Sequence, residues 1–175
     1  MSRLIVALLA AASLSACAAG RAEPASGEAA AQAPVRAIDR EARRQVGRED
    51  ALTQMAFWAG EYQTFPNDLE AAQRFADALR RGGRVDRAAQ IAAEALRRFP
   101  EDRALLATLG YAQIAAKRPQ EALRPLAIVA AAEPQNWRVR SALGAALDQL
   151  GRFPEARQAY QEALAIEPNN PRILT

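Results

Sequence analysis

The chain has 175 residues, of which half are apolar, a quarter are charged and only 6% are aromatic, and its formal net charge is +3. It has no histidine and a single cysteine, which excludes histidine-based nucleophiles, internal disulfides and zinc sites built from several cysteines. Alanine is abundant and β-branched residues are few, so we expect an all-α fold. We expect no catalytic residue, no metal and no cofactor, and the small positive charge fits a solvated helical surface.

The first residues have the pattern of an export signal. An apolar run, Leu4–Leu14, follows a positively charged start and is shorter than the about 20 residues that span a bilayer. The run ends in Leu-Ser-Ala-Cys at Cys17, which resembles the lipobox of bacterial lipoproteins. The resemblance implies a signal peptide over residues 1–16 and lipidation of Cys17. Because Ala18 rather than aspartate follows, it also implies an anchor in the outer membrane that faces the periplasm.

Two segments of different composition follow the cysteine. Residues 17–36 are rich in Ala, Gly, Pro, Ser and Glu, which is typical of a flexible, disordered linker. Residues 37–68 are predicted to be a degenerate repeat or N-terminal cap helices. We expect helix over 37–64, with aromatic anchors at Phe57, Trp58 and Tyr62.

An internal repeat with one constant spacing occupies the rest of the chain. Small or apolar residues recur at this spacing in several series, the clearest of which are Pro66, Pro100, Pro134 and Pro168, then Ala88, Ala122 and Ala156, and then Ala76, Gly110 and Gly144. The period, about 34 residues, is typical of the tetratricopeptide repeat, which this pattern resembles. The units are 69–102, 103–136 and 137–170, and 171–175 is the start of a further repeat or a tail. An array that ended there would expose apolar surface, so we expect the chain to continue or another surface to cover this end.

The resemblance implies an all-α solenoid of helical hairpins wound into a right-handed superhelix. Small residues such as Gly144 and Ala156 are expected where the two helices of a unit cross. The pattern departs from the family at Gln113, Leu126 and Ala92, since an aromatic residue is typical there.

The first helix of each unit is expected to line a concave binding face. Its mixed character suits an extended peptide or a partner helix, and the alternative is that these side chains are merely solvated. The Lys/Asn arrangement that clamps a terminal carboxylate in some members of the family is not present. The predicted groove residues are Gln73, Asp77, Arg80, Thr108, Tyr111, Ile114, Arg138, Ser141 and Asp148.

These features together indicate a non-enzymatic protein-binding scaffold. The lipobox, the linker and the repeats resemble the TadD lipoproteins of tight-adherence (Tad/Flp) pilus assembly, which implies a secretin or another pilus component as partner. Two alternatives stay open: an envelope lipoprotein that regulates cell-wall synthesis enzymes, and an envelope hydrolase that works with carboxylates alone. Neither nucleic acid nor a small-molecule substrate is expected.

Overall fold

The computed structural model describes residues 40–173, and this part of the chain is helical with short connections. The predicted signal peptide, Cys17 and the linker lie outside the described residues. None of the described helices is long and apolar enough to cross a membrane. The helices are α1 (residues 40–46), α2 (Ala51–Thr64), α3 (Leu69–Arg81), α4 (Val85–Leu96), α5 (Arg103–Ala115), α6 (Pro119–Ala132), α7 (Trp137–Gln149) and α8 (Phe153–Ile166).

The helices from α3 onward form three hairpins that recur at the period of the sequence repeat. The pair α3 and α4 lies within 69–102, α5 and α6 within 103–136, and α7 and α8 within 137–170. Each hairpin packs against the next, since α4 contacts α5 and α6 contacts α7. The expected all-α solenoid is therefore confirmed for the described residues.

A polar cap begins the first helix of every unit. The side-chain oxygens of Asp68, Asp102 and Asn136 accept hydrogen bonds from the backbone N–H three residues later, which satisfies one of the free donors at a helix start. Asn170 holds the same repeat position and accepts from the N–H of Arg172 at 3.0 Å. A polar side chain therefore also accepts from a following backbone N–H after α8, but from two residues later rather than three.

The turn inside each hairpin requires one residue with a positive φ angle. This residue is Gly83 (φ 74°), Lys117 (φ 60°) and Gly151 (φ 73°) in successive units. A Cβ atom at Gly83 or Gly151 would have nothing within 4 Å, so backbone conformation rather than space favours glycine there. Lys117 adopts the same conformation with a side chain, which costs free energy in the second unit.

The crossing of the two helices in a unit matches a small residue to a large one. A Cβ atom on Gly110 would lie 2.7 Å from Cδ2 of Leu126 and closer still to its Cγ. A Cβ atom on Gly144 would lie 2.7 Å from Cε1 of Tyr160, which confirms that Gly144 lies at a helix crossing. The equivalent positions of the first unit are Ala76 and Ala92, and both are fully buried.

The helical segment before the first unit is broken, so the expectation of helix throughout 37–64 is wrong over residues 47–50. This short stretch forms a turn and bend, after which the carboxylate of Asp50 caps α2. Helix α2 begins at Ala51, one repeat period before α4 begins at Val85, so it holds the position of a second helix in the repeat. The short α1 and α2 therefore precede the first unit, and only α2 keeps the spacing of the repeat.

One arginine connects α1 to the helices that follow through ion pairs. Arg43 makes ion pairs with Glu61, Asp68 and Glu70, and its guanidinium carbon lies 5.7 Å from the ring centroid of Trp58. Its side chain is only 14% exposed. Burial alone raises the pKa of Asp68, but hydrogen bonds from Arg43 and from the backbone of Ala71 hold that pKa below its usual value.

Candidate protein-binding face

The first helices of the units lie closer to one another than the second helices do. The backbone of α5 approaches those of α3 and α7, with Cα atoms within 8 Å. No such approach joins α4 to α6 or α6 to α8 in residues 40–173. The array therefore curves with α3, α5 and α7 on its inner side, and we call the surface of these three helices the first-helix face.

The predicted residues of the first unit are joined by polar contacts. The amide of Gln73 donates to the carboxylate of Asp102 at 2.8 Å, which links the first unit to the cap of the second. Asp77 accepts from both Arg80 and Arg81 at 2.7 Å. These contacts fix the direction in which Arg80 points, and they leave it 30% exposed.

The second unit supplies the centre of the face. The guanidinium carbon of Arg80 lies 5.6 Å from the ring centroid of Tyr111, within the range of a cation–π contact. Burial raises the pKa of the Tyr111 hydroxyl, whereas the charges of Arg80 and Arg138 act in the opposite direction. The hydroxyl therefore stays protonated at neutral pH and can donate a hydrogen bond. Ile114 is half-buried beside it.

Thr108 does not belong to the accessible face. It is only 8% exposed and lies on the inward side of α5. Gln73 and Ser141 are two repeats apart, and the equivalent residue of the second unit is Ala107 rather than Thr108. The prediction was therefore wrong by one helix position, which is a rotation of about 100°.

The predicted residues of the third unit come together in one cavity of about 350 Å³. Arg138, Ser141 and Asp148 all line it, from the same side of α7. The guanidinium carbon of Arg138 lies 4.7 Å from the ring centroid of Trp137, so the two side chains stack. A second, shallower depression of about 410 Å³ extends from the same pair along residues 133–136.

The cavity residues that were not predicted from the sequence include two aromatic residues and an arginine: Trp137, Tyr160 and Arg172. Trp137 begins α7, Tyr160 lies on α8, and Arg172 follows the cap residue Asn170. Tryptophan, tyrosine and arginine are the residue types most enriched at the energetic centres of protein interfaces. These residue types were the available signal in the sequence, but only the packing of α8 against α7 brings them together.

The first-helix face offers side chains that can bind another protein. In the described part of the chain, no three histidine, cysteine or acidic side chains are placed to hold a metal ion. The carboxylates of the first-helix face either pair with arginines, as Asp77 does, or lie exposed, as Asp148 does. Half-buried aromatic rings flanked by guanidinium groups can instead receive side chains of another protein.

Comparison with protein families identifies the repeats. Two models described as tetratricopeptide repeat match the chain, one over residues 74–128 and the other over residues 113–175. The TPR repeat-containing protein PA4667 of Pseudomonas aeruginosa is 36% identical over 102 residues. That match covers 57% of this chain but only 17% of the relative, so the chain spans about a sixth of that protein's length.

Solved structures show the same architecture. The structure named MamA MSR-1 C2 superimposes with a TM-score of 0.64 at 29% identity, covering 74% of this chain and 73% of that one. The first TPR of Spaghetti (RPAP3), bound to the HSP90 peptide SRMEEVD, superimposes with a TM-score of 0.55 at 21% identity. It covers 59% of this chain and 82% of that one, and at this identity it shows the fold alone.

Proposed function

The chain contains tetratricopeptide repeats, and from this premise we propose that it is a non-enzymatic scaffold that binds a partner protein on the first-helix face. One observation carries the proposal. Arg80 covers the ring of Tyr111 on the inner surface, and the third unit adds a cavity that Arg138 lines on the same face. The polar contacts of Asp77 with Arg80 hold part of this surface in place before a partner arrives, which lowers the entropic cost of binding.

The location that we propose is the periplasmic face of an outer membrane, with a lipid anchor at Cys17. The apolar run that ends in Leu-Ser-Ala-Cys and the residue Ala18 support it. A single acyl chain gives only marginal anchoring, whereas the several chains of a mature lipoprotein hold a protein stably. The linker of residues 17–36 would let the repeats stand away from the lipid surface.

The process that we propose is assembly of a tight-adherence pilus secretion apparatus, with a secretin or another pilus component as partner. The support is the resemblance to TadD lipoproteins, which combine a lipobox, a linker and the same kind of repeat. A regulator of cell-wall synthesis enzymes would share these features, so the identity of the bound protein separates the two functions.

Photocrosslinking in intact cells tests the scaffold and its partner together. A photoreactive phenylalanine analogue at Tyr111 preserves the ring that Arg80 covers. The control position is Gln90, which is exposed on the second helix α4. We expect capture of a secretin or another pilus component from Tyr111 but not from Gln90. Capture of cell-wall enzymes would contradict the pilus role, and equal capture from both positions would contradict the first-helix face.

Fractionation tests the anchor independently of the partner. We expect the Cys17→Ala variant to leave the outer-membrane fraction, because it lacks the thiol that would receive the lipid. The Ser15→Ala variant keeps the thiol and a small residue before it, so it should remain membrane-bound. An unchanged location of the Cys17→Ala variant would disprove the anchor.

A further inference from the structure

The cavity of the third unit has the composition of a side-chain receptor. Apolar surface comes from Trp137, Tyr160 and Ile173, and Ile173 is only 1% exposed. Arg138 and Ser141 provide polar groups on α7. Its volume of about 350 Å³ is at the small end of ligand pockets, which suits one large side chain with a polar neighbour.

The charge of this cavity is positive and incompletely balanced. Arg138 and Arg172 both line it, and neither has a carboxylate within 4.0 Å among residues 40–173. Asp148 is the one acidic residue that lines it. Two nearby arginines that lie outside the cavity, Arg140 and Arg152, are instead paired with glutamates. Among the described residues, two arginines and one carboxylate therefore line the cavity.

The guanidinium of Arg138 is also positioned before any partner binds. Stacking on Trp137 at 4.7 Å restricts its rotation, although the side chain is exposed. A guanidinium that is held over a ring by a cation–π contact still has N–H groups free to donate hydrogen bonds to a carboxylate. A carboxylate matches that geometry, whereas an ammonium or a second guanidinium would be repelled.

The second and third units differ in one residue on the apolar side of the cavity. Leu126 is fully buried between Gly110 and the third unit. The equivalent residue of the third unit, Tyr160, is only half-buried and lines the cavity. Covering this ring with a partner's aromatic or large aliphatic side chain would remove apolar surface from water.

We propose that this cavity binds a partner segment in which a carboxylate stands next to a large apolar side chain, the carboxylate on Arg138 and the apolar group against Tyr160 and Trp137. This inference rests on the proposed scaffold function and specifies the partner's chemistry at one site. It places the tightest contact at the third unit rather than along the whole first-helix face.

Tryptophan fluorescence of the full chain can measure this binding directly. Trp137 lines the cavity, whereas the other tryptophan, Trp58, is 4% exposed in the N-terminal part of the array. The probes are ten-residue peptides in a Gly/Ser background whose centre is Asp-Phe-Glu, Asn-Phe-Gln, Lys-Phe-Lys or Asp-Ser-Glu. We expect the first peptide to change the fluorescence saturably, and the other three to bind at least about tenfold more weakly. The Trp137→Phe variant should lose the signal.

Two arginine variants separate a bound carboxylate from a general charge effect. Arg138→Gln should weaken the Asp-Phe-Glu peptide at least about tenfold. Arg157→Gln removes an exposed arginine of α8 that does not line the cavity, and it should change the affinity less than about twofold because long-range attraction is screened. Circular dichroism at 222 nm would show that both variants keep their helices.

Equal binding of the Asn-Phe-Gln peptide, or an unchanged affinity in Arg138→Gln, would overturn the proposal, as would the absence of binding by any of the peptides. Such a result together with capture of a partner from Tyr111 would leave the scaffold function intact and refute only this site. Failure of the crosslinking alone would refute the scaffold function and leave the peptide result as it stands.

Discussion

The close contact between Gly110 and Leu126 predicts that Gly110→Ala destabilises the protein when Leu126 is present and stabilises it when Leu126 is replaced by alanine. In the Gly110→Ala variant the new Cβ would lie 2.7 Å from Cδ2 of Leu126, whereas an ordinary contact is 3.4–4 Å. Leu126 is 0% exposed and lies in a buried apolar cluster, so moving it away from the new methyl group would displace its neighbours. Overpacking of this kind costs about 1–3 kcal/mol, and the better helix propensity of alanine returns up to about 1 kcal/mol. We therefore expect a net loss of about 1–2 kcal/mol.

The same substitution should stabilise a chain that lacks the leucine. Leu126→Ala alone removes a fully buried side chain and should cost about 2–5 kcal/mol. Adding Gly110→Ala then places a methyl group in the space that Leu126 has left. The second unit then has the same pair of alanines that the first unit has at Ala76 and Ala92. The double variant should therefore be more stable than Leu126→Ala by up to about 1 kcal/mol or slightly more.

Urea unfolding followed by circular dichroism at 222 nm measures all three variants. Gly60→Ala is the matched control, because this exposed helical glycine has nothing within 4 Å of a new Cβ atom. It should stabilise the protein by up to about 1 kcal/mol. A Gly110→Ala effect that is the same with and without Leu126 would refute the idea that this pair sets the helix spacing.

Two further predictions concern a turn and an ion-pair cluster. Both Gly151 and Lys117 have a positive φ, which a residue with a side chain adopts only at a cost in free energy. Gly151→Ala should therefore lower the free energy of unfolding by about 1–2 kcal/mol, and Lys117→Gly should leave it unchanged or raise it. Thermal unfolding measures both variants, and a destabilised Lys117→Gly variant would contradict the idea that Lys117 has a strained backbone. Removing one partner of a fully buried ion pair costs about 3–5 kcal/mol. Arg43→Gln should destabilise the protein by less than this, because the carboxylates that pair with Arg43 are partly exposed. Because the pKa of Asp68 is lowered in the folded state, its contribution is present above about pH 4 and is lost as the pH falls further. Urea titrations from pH 7 to pH 3 should show a smaller loss in Arg43→Gln than in the wild type, and equal losses would contradict the role of this pair.

The repeat could be predicted from the sequence because its physics is local and periodic. Residues that end helices, small residues at crossings and polar caps recur at one constant spacing, so each unit supports the interpretation of the others. The cap series Asp68, Asp102 and Asn136 was present in the same sequence contexts as the prolines. Its regularity reflects the same hydrogen bond made at the start of every first helix.

The parts that were not predicted have both local and long-range causes. The break after α1 is local, since Asp50 caps α2, whereas the packing of α1 depends on Arg43, whose partners Glu61 and Glu70 are 18 and 27 residues away. Thr108 was misplaced because the face of a helix changes within one residue. The cavity was missed as a unit because Trp137 and Arg172 meet only when α8 returns the chain to α7.

The central claim is that a partner protein binds the first helices of the repeats. Hydrogen–deuterium exchange of the full chain, with and without the partner captured from Tyr111, tests it most directly. We predict that the partner slows exchange in α3, α5 and α7, most strongly in α7 near Arg138. Slower exchange confined to α4, α6 and α8 would show that the partner binds the opposite face and would contradict the account.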